Sequence, residues 1–305
     1  MKKILVIGGA GFVGSHTVDE LIERGFTVSV LDLKSWDEAV NLHHHKKGVI
    51  TYIQGDIRDF EFLEKNFAGH THVLHLAALV SVPESISNPL EFNNTNITGT
   101  LNVFEAARRN NISKVVYASS AAVYGNQSSV PVAESAQTKS ESPYGLHKIV
   151  NDEYAHLYGQ NFNLSITGLR YFNIFGPRQN PSSPYSGVVS IFVDKIQKGE
   201  PITIYGDGKQ TRDFVYVDNV VQANLLALGS DKRGVYNVGI GQETSLLTLV
   251  STIEEVVGKK TQIDFKNKRE GDIERSYASI EKIKLELGYI PEVDLKNGLK
   301  KLYDN

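Results

Sequence analysis

Six short, almost unbroken apolar runs punctuate the first 170 residues, and the stretches between them have helical spacing. The runs are ILVI (4–7), TVSVL (27–31), VITYI (49–53), HVLHLA (72–77), KVVYAS (114–119) and LSITGLRY (164–171). Their near-continuous apolar character predicts strands of a sheet covered on both faces. Between them, Val13, Val18, Leu21 and Ile22 repeat at helical intervals up to Gly25, and Leu101, Val103, Phe104 and Ala107 do so up to Asn110. Strand–helix alternation of this kind predicts an α/β fold built on a doubly wound parallel sheet with right-handed crossovers.

The rhythm changes after Arg170. GPRQNPSSPYSG (176–187) and GDGKQTRD (206–213) read as loops, and the elements beyond them are mixed short strands and helices. The expectation is therefore a first domain over 1–170, joined by parts of 213–240, and a smaller C-terminal α/β domain over 171–305. VYV (215–217) and VYNV (235–238) are the segments that could return to the first sheet's side.

Composition narrows the partners. The chain of 305 residues is 41% hydrophobic and 22% charged, an ordinary globular balance. A net charge of −3 gives no reason to expect nucleic acid or an anionic membrane. Zero cysteines exclude disulfides and thiolate metal sites. MKKILVIGG imitates a signal peptide only briefly, because its apolar run ends at Gly8, and no other run approaches transmembrane length. A cytoplasmic location is expected.

The segment IGGAGFVG (7–14) follows the first strand and opens the first helix. Gly8, Gly11 and Gly14 let the backbone turn tightly and approach a pyrophosphate, which then rests on the helix N-terminus. Asp32 closes the second strand, where its carboxylate can accept both hydroxyls of an adenosine ribose and repel a 2′-phosphate. The cofactor predicted is NAD, on a Rossmann-type fold. SPYGLHK (142–148) adds a phenol, Tyr144, four positions before an ammonium, Lys148, which a helix places on one face.

Along nearly its whole length the chain resembles the extended short-chain dehydrogenases/reductases that act on nucleotide sugars. The resemblance rests on GGAGFVG, GDIRD (55–59), HLAA (75–78), YASSAAVYG (117–125), SPYGLHK, RYFNIFGPRQNP (170–181), TRDFVYVDNV (211–220) and REGD (269–272). Within that family it is most similar to the UDP-hexose and UDP-N-acetylhexosamine 4-epimerases. The resemblance implies that Tyr144 is the catalytic acid/base. Lys148 would bind the nicotinamide ribose and lower the tyrosine pKa, and Ser120 would bridge the phenol and the sugar O4. Ser119 is adjacent to Ser120, and only the motif register separates the two.

The resemblance also implies cofactor contacts at Phe12 and Val13 in the cradle and at Asp56 and Ile57 on the adenine. Leu76, Ala77 and Ala78 would lie under the dinucleotide, and Ser119, Asn96 and Tyr171 would complete the pocket. For the substrate it implies Arg212 and Arg269 on the diphosphate, Asp272 on a ribose, and Asn173, Val188, Thr203 and Tyr205 along the lining. A residue seven positions after Arg269 would wall the sugar's C2 substituent. The count lands on Ser276, and a slip of one would put Tyr277 there.

Ala121 and Ala122 follow Ser120 where related dehydratases and decarboxylases carry acids. Methyl groups move no protons, so the reaction expected is oxidation at C4 and its reversal. A UDP-glucuronate 4-epimerase stays open, although no cation is assigned to its C6 carboxylate. So does a catalytically silent NAD-binding regulator on the same fold. HHH (43–45) reads as a polar surface loop, since spacing offers no further ligand and no metal is expected. RRNN (108–111) reads as a helix end with favourable charge. The resemblance implies a homodimer through a helix pair.

Overall fold

The computed structural model describes residues 2–46, 48–179, 187–268 and 273–304. All six apolar runs are strands of one parallel sheet: β1 (Lys3–Ile7), β2 (Thr27–Asp32), β3 (Thr51–Gln54), β4 (His72–His75), β5 (Lys114–Ser120) and β6 (Ile166–Tyr171). Helices α1 (Phe12–Glu23), α2 (Phe60–Phe67), α3 (Val82–Ser87), α4 (Pro89–Asn93), α5 (Thr100–Arg109) and α6 (Pro143–Phe162) lie between them. Beyond Tyr171 come β7 (Asn173–Phe175), α7 (Val188–Lys198), β8 (Ile202–Tyr205), β9 (Thr211–Arg212), β10 (Phe214–Tyr216) and α8 (Val217–Gly229). The chain continues through β11 (Gly234–Val238), β12 (Thr244–Ser245), α9 (Leu246–Val257), β13 (Ile263–Lys266), β14 (Arg275–Ser276), α10 (Glu281–Leu287) and α11 (Leu295–Tyr303).

The main sheet runs β11-β6-β5-β4-β1-β2-β3, so strand order reverses between β1 and β4. Alternate residues of each strand face opposite layers. Ile4, Val6, Val28 and Val30 pack under α1 and α8, whereas Leu5, Ile7, Val73 and Val115 pack under α2 and α5. Each such fully buried aliphatic side chain contributes about 1.5–3 kcal/mol. That two-sided burial is why the strands read as unbroken apolar runs.

VYNV joins this sheet as β11, with Tyr236 in register with Leu169 of β6. The other segment behaves differently. Phe214–Tyr216 pairs with β7 outside the main sheet, and Val217 already begins α8. A third apolar cluster, including Phe175, Phe192, Ile204, Phe214 and Leu249, forms the core of the later lobe. No helix among the described residues is long and apolar enough to cross a membrane.

Candidate active site

The glycine turn lies at the reversal of strand order, where open α/β sheets leave a crevice at the carboxyl ends of their strands. Gly8 has a φ of +82°, and a Cβ there would sit 2.7 Å from the Ala77 nitrogen. A Cβ on Gly14 would overlap the Gly8 carbonyl. Helix α1 starts after Gly11 with no side-chain cap and no acid in its first turn. Its leading N–H groups and positive dipole end therefore face the crevice, a setting suited to phosphate.

Asp32 borders the same crevice. One carboxylate oxygen accepts from the Ala10 N–H at 2.9 Å and the other from the Lys34 N–H at 3.2 Å. The crevice has a volume of about 310 Å³ and is lined by Gly8, Gly11, Asp32, Asp56, Ile57 and the 76–79 segment, among others. Asp56 faces it as an anion, because the Arg58 guanidinium holds its pKa below the usual carboxylate range. The glycines keep the cradle open, and the carboxylate stands at the second strand's end. These residues fit a dinucleotide.

Other expected contacts take different roles. Asn96 uses its amide on the backbone of Leu79, accepting from its N–H at 2.9 Å and donating to its carbonyl at 2.8 Å. It thus sets the segment that floors the crevice. The Tyr171 hydroxyl donates to Asn224 at 2.5 Å, and Asn224 donates to Thr17 of α1 at 3.0 Å. Phe12 turns its ring into the later lobe's core, and Val13 packs on the first. The polar tips of Asn96 and Tyr171 are thus engaged within the protein. Ser119 is the reverse case: its buried Oγ has no hydrogen-bond partner among the described residues.

The first turns of α6 hold the phenol of Tyr144 and the ammonium of Lys148, both buried. Ser142 caps the helix, accepting from the Gly145 N–H at 3.2 Å, and Pro143 occupies the first turn, where its missing N–H costs nothing. Tyr144, Lys148, Asn151, Asp152 and Ala155 form its buried stripe. Gly145 allows close approach to the turn after β5, since a Cβ there would lie 2.6 Å from the Ala122 carbonyl. Ser120 ends β5 and caps that turn through the Ala122 N–H at 3.2 Å.

Burial raises the Tyr144 pKa, and a side-chain hydrogen bond with Ser120 pulls it back. Lys148 places its ammonium 5.7 Å from the centre of the Tyr144 ring and donates to the Ala118 carbonyl at 2.8 Å. Burial pushes the Lys148 pKa down to about 8, against the pull of Asp152. A positive charge held beside a phenol favours its phenolate form.

Three supporting residues were not singled out from sequence. Ser85, fully buried on α3, accepts the Tyr144 N–H at 3.2 Å and donates to Val82 at 2.7 Å. Asp152 ion-pairs with Arg170 at 2.9 Å and accepts from Tyr117 at 2.7 Å. Its place four residues after Lys148 was a legible signal. Asp213, inside the TRD motif, accepts backbone N–H groups of Ile240 and Gly241 at 2.9 Å and of Ala278 at 3.2 Å. Burial pushes its pKa up to about 6 against those three donors.

On the later lobe, Arg212 donates to the carbonyls of Thr211 at 2.8 Å and Ile273 at 2.7 Å. Ser276 pairs in register with it, half-buried, and Tyr277 follows. Thr203 and Tyr205 share the less buried face of β8, Asn173 is exposed on β7, and Val188 opens α7. Arg269 and Asp272 lie outside the described residues.

Residues 4–239 match the NAD dependent epimerase/dehydratase family. A putative UDP-glucose 4-epimerase of Methanocaldococcus jannaschii is 42% identical over 301 residues, 98% of this chain and 96% of that one. Among solved structures, the UDP-N-acetylglucosamine 4-epimerase of Methanobrevibacter ruminantium M1, in complex with UDP-N-acetylmuramic acid, superimposes with a TM-score of 0.95. It is 38% identical, and the match covers 99% of this chain and 97% of that one. The UDP-glucose 4-epimerase of Thermotoga maritima, with UDP-glucose, gives a TM-score of 0.93 at 37% identity, over 99% and 97% of the two chains. With its glycine cradle, Asp32 and the Tyr144–Lys148 face in place, the chain belongs to the NAD dependent epimerase/dehydratase family.

Proposed function

We propose that this protein is a UDP-sugar 4-epimerase that interconverts the C4 epimers of UDP-hexoses, the N-acetylated pair included. The observation that supports this best is the buried Tyr144–Lys148 face beside Ser120, followed by Ala121 and Ala122. NAD, held by the glycine cradle and Asp32, supplies when bound the reversible two-electron oxidation of a secondary alcohol.

The side chains handle protons and position. Tyr144 takes the proton of the 4-hydroxyl as that carbon becomes a ketone, and returns it when the alcohol is restored. Ser120 holds O4 in line with the phenol, and Lys148 keeps the phenolate accessible. Ala121 and Ala122 have no group to move a second proton, which disfavours elimination and decarboxylation. Inversion then needs only that the planar 4-keto sugar turn over while its nucleotide stays anchored. Arg212, Arg269 and Asp272 are our candidates for that anchor. Asn173, Val188, Thr203 and Tyr205 are the proposed lining.

The acetylated pair enters this reading through Ser276, whose small side chain leaves room for an acetamide. We also assign residues 1–170 and part of 213–240 to the cofactor domain, and the rest to the substrate domain. A homodimer through α6 is part of the proposal, since Leu146 and Leu157 of that helix are exposed.

The deciding experiment is incubation of the purified protein with UDP-glucose, UDP-N-acetylglucosamine and UDP-glucuronate, followed by separation of the products. The galacto epimers of the first two are expected. Product from UDP-glucuronate alone, or no product at all, would overturn the proposal.

A further inference from the structure

His44 and His45, of the histidine run 43–45, gain a partner that spacing along the chain did not offer. His44 Nε2 and His45 Nε2 converge on one oxygen of Asp19, at 3.0 and 2.6 Å. Asp19 stands on α1, 25 residues before His44. The three ligand-type atoms all lie within 4.8 Å of one another. We propose that Asp19, His44 and His45 form a binding site for one divalent transition-metal ion of the zinc class, separate from the catalytic cleft.

The donor set selects the ion. Two imidazole nitrogens and one carboxylate oxygen suit zinc, cobalt, nickel or copper, whereas magnesium and calcium prefer oxygen-only shells. Ligand bonds of about 2.0–2.2 Å at tetrahedral angles set neighbouring ligand atoms roughly 3.3 Å apart. Reaching that spacing lengthens the two Asp19 edges by about 0.7 and 0.3 Å, within a set whose ligand atoms all lie within 4.8 Å of one another. A water completes the fourth position.

The surroundings are organised as such a site requires. Arg178 holds the other Asp19 oxygen at 2.7 Å, which leaves Oδ1 as a single oriented donor. The platform under the histidines is rigid, because Ala39 and Leu42 are buried in the core that contains Val18 and Leu21 of α1. His45 is largely enclosed, whereas His44 is 48% exposed and gives the ion an entry path. The positive Arg178 opposes a cation, so binding is expected to be weaker than in a structural zinc site.

The position gives the ion a consequence. Asp19 already joins α1, the segment after Asp32 and the Pro177–Arg178 stretch. Leu33 and Lys34 of that middle segment line the cofactor crevice. An ion would clamp these three parts of the frame around it and raise resistance to unfolding.

The test uses chelator-treated full-length protein titrated with zinc by calorimetry and with cobalt by visible absorption. One ion per chain, cobalt bands of four-coordinate intensity and a rise in Tm are expected. The His44→Ala/His45→Ala double variant and Asp19→Asn should each weaken binding by at least about tenfold and abolish the rise in Tm. Circular dichroism would establish that both variants are folded. His70→Gln, at a histidine outside the cluster, should bind as the unmodified protein does. Absence of stoichiometric binding, or binding that these cluster variants leave unchanged, overturns the proposal.

Discussion

Lys148 holds its ammonium 5.7 Å from the centre of the Tyr144 ring and anchors it on the Ala118 carbonyl at 2.8 Å. The charge lies beside the phenol because one helix carries both and β5 supplies the anchor. Replacing Tyr144 by Phe removes only the hydroxyl. Turnover should fall by roughly 10²–10⁴-fold with an unchanged circular dichroism spectrum. Near-normal product formation by Tyr144→Phe would remove the assignment of the base.

Burial lowers the folded-state pKa of Lys148 from its ordinary 10.5 to about 8. Below about 8 the native and unfolded chains both hold this proton. Between about 8 and 10.5 the unfolded chain holds it and the native chain has lost it, so this group's contribution to stability rises with pH. Urea midpoints of the cofactor-free protein should show that rise, and Lys148→Met should flatten it. An unchanged slope in the variant would show that Lys148 does not titrate there.

The N–H of Tyr144, in the first turn of α6, has no helical carbonyl to bond and is satisfied by Ser85 at 3.2 Å. Ser85→Ala leaves it buried without an acceptor, a cost of about 1–3 kcal/mol. The expected result is a lower urea midpoint and a reduced kcat, with NAD affinity retained. If both stability and kcat match the unmodified protein, Ser85 does not position the tyrosine.

Asp32 should set the preference for NAD over NADP. Asp32→Ser removes a repulsion of about 1–2 kcal/mol toward a 2′-phosphate, so the preference should narrow by roughly tenfold. The variant also loses the acceptor of the Ala10 N–H, which predicts weaker binding of both cofactors. Competitive binding measurements decide it, and equal affinity of the unmodified protein for the two would refute this role.

Ser276 stands in register with Arg212 across the β9–β14 pair. Ser276→Tyr should cut the acetylated reaction to below about a tenth, the scale of a steric overlap of 1.4 kcal/mol or more, and spare UDP-glucose. Equal losses on both substrates would place the wall elsewhere.

Fold and cradle were legible because they are written in consecutive residues. Burial of the sheet on both faces produces unbroken apolar runs, and the turn after β1 tolerates only glycine where a Cβ would meet the backbone of Ala77 or Gly8. The four-residue spacing of Tyr144 and Lys148 is likewise a property of one helix. Tertiary structure decided the rest. Ser85 meets Tyr144 across 59 residues, Asn96 grips Leu79 across 17, and Asp19 meets His45 across 26. Phe214–Tyr216 left the main sheet for β7, while Gly234–Val238 joined it beside β6. A hydrogen bond or strand pairing between distant segments depends on which groups the finished packing leaves without partners. Local period and composition carry no record of that choice.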